Sequence, residues 1–175
     1  RYIHVPYIKG LDSDRLKSFN LSYRDYNNKG SYILVCPSSP GIHNFLNEVN
    51  WLEQTIMEIK KHTDRPIVIR EKPRGRGTSG PSEAVVPLQQ QLKDAWACVT
   101  SCSISAVESL CQGVPVICHD ISFAKPICKT EIKDIENPSY TDPKDWLYSL
   151  SYQQFTPEEF ANGTAVGVLK DLKVL

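Results

Sequence analysis

Three features of the sequence predict an α/β fold, a Rossmann-like three-layer sandwich around a parallel sheet. Apolar runs of strand length, "SYILVC", "RPIVIR", "WACVT" and "VPVICH", recur along the chain. Segments of helical spacing or helix-boundary chemistry separate them. The runs are apolar throughout rather than alternating, as in strands covered on both faces. In such sheets ligands sit outside the carboxyl ends of the strands, so the loops that follow the strands are the ones to read for function.

Taken in order, residues 1–30 are polar and aromatic with weak periodicity and end in "DYNNKG", a turn. They read as an N-terminal extension or the remnant of a preceding domain. "SYILVC" is a strand closed by the loop "PSSPG". From Asn47 the positions Val49, Leu52, Ile56 and Ile59 recur at helical spacing, and cations follow in "KKHTD", where the helix dipole favours them. "RPIVIR" is the second strand, followed by the loop "EKPRGRGTSGPSEAV". A short helix runs from Pro87 to Ala95, with Pro at its first turn. "WACVT" is the third strand, "SISAVESLCQG" a helix stopped by Gly113, and "VPVICH" the fourth strand. "KPICKTEIKDIENPSY" reads as a last short strand and loop. Residues 31–140 therefore form the ligand-binding domain, and residues 141–175 form helices packed on it. One of those helices opens at "TDPKD", with Asp142 as cap and Pro143 in the first turn. The other opens at "TPEE", where Thr156 and Glu159 make a capping box.

The 175 residues carry 20 basic and 20 acidic side chains. That balance leaves no field to attract nucleic acid or membrane. The longest apolar runs are strand-sized, so no membrane span is expected. Six cysteines occur without a CxxC pair or a matching set at metal spacing, which favours buried reduced thiols and a cytoplasmic setting. Trp51, Trp96 and Trp146 fall on helix or strand faces and read as core. The chain begins at Arg1 rather than Met, which leaves room for a preceding segment.

Two loops at the predicted carboxyl edge hold most of the chemistry. The loop after the second strand carries Arg70, Lys72, Arg74 and Arg76, with glycines at 75, 77 and 80. Forked guanidiniums and a flexible backbone suit a phosphate, although a solvated basic loop would read the same way. After the third strand, Ser101, Ser103 and Ser105 surround a helix start, where unpaired N–H groups attract anions. One serine would suffice as a cap. Glu108 follows in the first turn or just after it. It reads equally as a dipole-favoured carboxylate boxed with Ser105 and as an acceptor for ribose hydroxyls. Ser38, Ser39 and His119 lie in the neighbouring loops. His119 reads equally as a contact to base, sugar or phosphate and as a strand-end imidazole bonded to nearby backbone.

The segment "DAWACVTSCSISAVESLCQGVPVI" resembles the C-terminal, nucleotide-sugar-binding half of GT-B glycosyltransferases, nearest to capsule-polysaccharide-type and phage-encoded members. On that resemblance Ser103 is the motif serine and Glu108 the ribose-binding glutamate, and Gly113, Pro115 and Val116 form the "GxPV". Arg70, Lys72 and Pro73 stand where such domains place a cation against the phosphates, without the usual His, and Ser109 replaces an Ala. The resemblance covers about Tyr32 to His119. The closing segment "DWLYSLSYQQFTPEEFANGTAVGVL" is similar, more loosely, to the last helices of phage-encoded glycosyltransferase-like proteins.

The resemblance implies a nucleotide-sugar as substrate, with its diphosphate held by Arg70, Lys72 and Arg74 and by Ser101, Ser103 and Ser105. Ser38, Ser39 and His119 would touch sugar or base. It also implies metal-independent chemistry without a cofactor, a host-cytoplasm setting for a phage-encoded member, and an N-terminal acceptor domain to complete an enzyme. Nucleic acid would enter only as a modified-base acceptor. The alternative is a non-enzymatic single domain that binds a nucleotide or other phosphorylated ligand. Other classes lack their motifs: there is no GxSxG elbow for a hydrolase, no GxGxxG for a dinucleotide enzyme and no GK[ST] for a P-loop.

Overall fold

The computed structural model describes residues 7–19, 22–26, 29–70 and 86–174. Most of the basic loop, including Lys72, Arg74, Arg76 and its glycines, lies outside the described residues. In chain order the elements are α1 (Asp14–Ser18), β1 (Tyr32–Cys36), α2 (Pro40–Phe45), α3 (Trp51–Ile59), β2 (Ile67–Ile69), α4 (Leu88–Leu92), β3 (Ala95–Thr100), α5 (Ser105–Cys111), β4 (Val116–Cys118), α6 (Lys144–Ser151), α7 (Pro157–Ala161) and α8 (Thr164–Asp171). They fall into two compact units. One spans residues 24–141, and the other joins the segment before residue 24 to the segment from Asp142 onward.

The first unit is the expected α/β sandwich. Its four strands are all parallel, in the order β2-β1-β3-β4. Successive strand residues point to opposite faces, so each strand must be apolar on both. Ile33 and Val35 of β1 join Ala97, Val99 and Ile117 on one face, where Ile59 of α3 and Ile135 close a buried cluster. Leu34 and Cys98 are fully buried on the other face. There the α5 residue Ser105 donates its hydroxyl to Thr100 of β3 at 3.3 Å.

Gly30 sets the entry to β1. It is buried, and a Cβ there would be driven into the backbone of Ala95 and Trp96. At the same place β3 gains a residue on β1, since Tyr32 pairs with Ala95 and Ile33 with Ala97. The extra residue is Trp96. Its indole donates to the Ile135 carbonyl at 2.8 Å, and the Arg65 guanidinium lies 3.8 Å from its ring centroid.

Several sequence expectations change. The helix read from Pro87 to Ala95 is shorter, Leu88–Leu92, with Pro87 at its N-cap, because Ala95 already opens β3. "PSSPG" is not only a loop, because a helix begins within it at Pro40, with Ser39 at the N-cap. The next helix starts at Trp51 rather than Asn47: Asn47 has a left-handed backbone, φ 57°, and Val49 is 68% exposed ahead of the helix. The last strand read in "KPICKTEIKDIENPSY" is two 3-10 turns, Lys125–Ile127 and Ile132–Asp134, with a single bridge from Ile117 to Lys129. Pro126, which has no N–H, is the second residue of the first of them. Gly113 has φ 75° and follows α5 as expected.

The second unit contains α1 and α6–α8. The predicted Thr156–Glu159 capping box is present, and Asp142 accepts from the Lys144 N–H ahead of α6, with Pro143 at the N-cap rather than in the first turn. Arg15 is the hub. It donates to Glu159 at 2.8 Å and to the Ser151 and Gln154 carbonyls, and it lies over the Phe155 ring. The Arg15 hydrogen bond, followed by the backbone N–H of Thr156, holds the Glu159 carboxyl at about 2. A depressed carboxylate stabilises the fold above its unfolded value and loses that contribution as pH falls through its folded value. Acid unfolding of this unit is therefore expected to steepen between about 4.5 and 2. Arg15→Met should remove that steepening, as read by circular dichroism against pH; an unchanged profile in the variant would refute the coupling. Among the described residues no helix is long and apolar enough to cross a membrane.

Candidate functional site

The strand order fixes where a ligand would sit. The chain leaves β1 toward β2 on one side and leaves β3 toward β4 on the other, so the carboxyl ends of β1 and β3 form the switch point where such sheets open a crevice. A cleft of about 530 Å³ lies there. That is within the usual span for small-molecule sites, roughly 300–1,000 Å³.

Four segments line it. Ser38 and Ser39 come from the loop after β1, and Arg70 from the end of β2. Gln89 comes from α4. Cys102, Ser103, Ser105 and Glu108 come from the turn after β3 and from α5. Of the ten residues expected at the site, six therefore line one cleft: Ser38, Ser39, Arg70, Ser103, Ser105 and Glu108. Ser101 and His119 do not line it, and Lys72 and Arg74 lie outside the described residues.

The serines after β3 act mainly as scaffold. Ser101 is fully buried and donates to the Ser38 hydroxyl at 2.7 Å, which also accepts the Cys102 N–H at 3.1 Å. Ser105 is buried, with its hydroxyl on Thr100, and Thr100 in turn donates to the Cys36 carbonyl at 2.6 Å. These bonds tie the loop after β1 to the loop after β3 at the floor of the cleft. None of the three serines is the N-cap of α5. Ile104 holds that position without a side-chain bond, so Ser105 and Glu108 form no capping box. The first N–H groups of α5 are satisfied locally. Ser105 N–H bonds the Ser103 hydroxyl, and those of Ala106, Val107 and Glu108 bond the Ser103 and Ile104 carbonyls. Any anion in the cleft must therefore be held chiefly by side chains.

Among the described residues that line the cleft, Arg70 is the cation available for that. Its backbone N–H continues the sheet ladder to the Val35 carbonyl, which fixes where the side chain starts. Its Nη1 donates to the Val86 carbonyl and to the Gln91 side chain, both at 2.6 Å. These acceptors are neutral, and among the described residues Arg70 has no carboxylate partner. A buttressed guanidinium without a counter-charge is suited to an incoming anion. Glu108 accepts from the Gln89 side chain at 3.0 Å, which orients the carboxylate at the rim. Gln89 and Gln91 were not legible as site residues, because eighteen residues separate β2 from their short helix in sequence.

Cys102 at the cleft wall is pushed up to about 11, first by burial, and so stays a protonated thiol at neutral pH. Cys98 beneath the cleft is pushed well up by its proton's bond to Cys36 and by burial. All six cysteines are free thiols. No cluster of His, Cys, Asp and Glu able to hold a metal occurs among the described residues. In comparisons with known proteins, no family model matches the chain, and no curated protein or solved structure is significantly similar to it.

Proposed function

We propose that the cleft binds the diphosphate of a nucleotide-sugar, as the donor-binding part of a GT-B-like glycosyl transfer. The observation that carries the reading is convergence: four chain segments bring a guanidinium, small hydroxyls and one carboxylate to a single crevice at the switch point of a parallel sheet. Arg70 supplies charge-assisted bonds to phosphate oxygens. Ser39 and Ser103 add hydroxyl donors, and Glu108 accepts from ribose hydroxyls. The same guanidinium would stabilise charge developing on the departing nucleoside diphosphate. Lys72 and Arg74 are the further cations this reading assigns to the phosphate, and they lie outside the described residues. The resemblance of the segment from Asp94 to Ile117 to the donor-binding motif supports it independently of the geometry.

Calorimetric titration with UDP, GDP, CMP and their sugar derivatives tests it. One nucleotide class should bind, and Arg70→Ala and Glu108→Ala should each weaken it about ten- to a hundredfold, the worth of one hydrogen bond to a charged group. Circular dichroism should show both variants folded. If the folded wild type binds none of the panel, the proposal fails.

A second reading is a domain that only holds a phosphorylated ligand. One observation favours it: the imidazole–carboxylate pair suited to acid–base work, His119 with Glu48, is bonded to itself and does not line the cleft. A sequestering site shaped for the nucleotide alone should take the bare nucleotide at least tenfold more tightly than its sugar derivative. A donor site should accept both.

A further inference from the structure

Behind the Ser38–Ile42 wall of the cleft sits a buried polar cluster that the proposed function does not use. His43 of α2 is 7% exposed and stacks on Trp51 of α3, with ring centroids 5.2 Å apart. Neither of its ring nitrogens has a hydrogen-bond partner among the described residues. Glu48, on the loop after α2, is in the same state at Oε2, while its Oε1 lies 2.8 Å from Nε2 of His119 at the end of β4. The His119 Nδ1 accepts the Ile121 N–H at 3.2 Å, which places the His119 proton on Nε2, donated to Glu48. The Glu48 N–H bonds the His43 carbonyl at 2.8 Å, so the carboxylate is hinged to α2 itself.

Burying two polar nitrogens without partners costs free energy, because the water they leave behind is not replaced by a hydrogen bond. A charged imidazole in the same place costs more. The groups facing His43 are Glu48 and, from β4, His119. Trp51 is not titratable. Cys102 from the turn after β3 stays protonated, and the Asp120–Lys125 pair lies exposed beyond His119. Burial outweighs the attraction of Glu48 and, with His119, pushes the His43 pKa below its ordinary 6.5. The closed arrangement therefore prefers neutral His43, and acid must favour whatever arrangement lets the ring reach water. The residue before His43 is Ile42, which lines the cleft, and the N-cap of the same helix is Ser39, which also lines it.

We propose that this cluster is an acid-sensitive latch on the cleft: neutral His43 seats α2 against Trp51 and keeps the Ser38–Ile42 wall closed, and a proton on His43 unseats α2 and opens that wall. The latch needs no ligand, so it stands or falls separately from the nucleotide reading.

Nuclear magnetic resonance titration of the whole chain from pH 8 to 4.5 tests it. The chain has four histidines, which makes their ring signals assignable. The His43 ring should titrate with a midpoint below about 6.5. The amides of Ser39, Ile42 and Cys102 should move with that midpoint. His43→Phe keeps a ring for Trp51 and should abolish the coordinated movement. Glu48→Gln removes the one attraction that favours charged His43, so it should lower the His43 midpoint and carry the wall amides down with it. Three results would overturn the proposal. They are a His43 midpoint at or above its ordinary value, wall amides that follow His119 or do not titrate, and a response that persists in His43→Phe. Should His43→Phe not fold, an unchanged His43 midpoint in Glu48→Gln decides against the latch.

Discussion

Gly30→Ala is expected to destabilise the sheet unit by more than about 3 kcal/mol, beyond the usual range for overpacking. The added Cβ would meet backbone atoms of Ala95 and Trp96, which cannot rotate away as a side chain could. Those backbone atoms are held on both sides. Ser31 N–H bonds the Asp94 carbonyl at 2.8 Å, and the Gly30 carbonyl accepts from Arg65 at 3.2 Å. Arg65 in turn covers the Trp96 ring, and Trp96 is anchored to Ile135. Relieving the clash would thus pull apart the start of β1, the bulge in β3 and the packing of Trp96 together. For a chain of this size each kcal/mol lowers the melting temperature by about 2–4 °C, so a fall of roughly 6–12 °C or more is expected. Gly167→Ala is the control. Nothing lies within 4 Å of its added Cβ, and it sits inside α8, where alanine is favoured by about 0.5–1 kcal/mol. Thermal melts of both variants check this. A Gly30→Ala protein that melts with the wild type would mean that β1 does not enter the sheet as described.

The sheet was legible because each strand is a short apolar run between breakers: β1, β3 and β4 are buried on both faces, and the edge strand β2, only half-buried, keeps the same pattern. "SYILVC" and "VPVICH" need only their β-branched residues and their flanking Gly and Pro to be read. Shorter elements were not legible in the same way. Pro40 after Ser39 is a helix-start signal, but six residues give too little periodicity to separate a helix from a loop. "KPICKTEIKDIENPSY" has the length of a short strand and loop but no two-residue apolar alternation, and only its Lys129 pairs with a strand. At the cleft, the loops and most of the expected residues followed from the fold class, since the switch point selects loops before any side chain is considered. The sequence could not show which hydroxyls were free. Ser101 and Ser105 look identical to Ser103 in sequence; the commitment of Ser101 to Ser38 depends on how two distant loops meet, and that of Ser105 on how the turn after β3 folds back toward Thr100. The same holds for His119, whose partner Glu48 lies 71 residues away.

Helix α3 gives the other large effect, because it covers the sheet with one face only. Ile59 is fully buried among Ile33, Val35, Ala97, Val99, Ile117 and Ile135, and Trp51 and Leu52 pack against the same cluster. Met57, two positions earlier, is 59% exposed. Residues two apart on a helix do not share a face, so the pair separates burial from helix propensity. Ile59→Ala removes methyl and methylene groups from the centre of the core and leaves a cavity that backbone-anchored neighbours cannot fill. It should cost about 2–5 kcal/mol. Alanine is the better helix former, which offsets that loss by less than about 0.7 kcal/mol. Met57→Ala should stay within about 0.5 kcal/mol of wild type. Urea unfolding at matched slopes reads both directly. Equal losses would place α3 on the sheet by a different face. The loss at Ile59 should also exceed any at Arg70, whose side chain lies outside the core cluster.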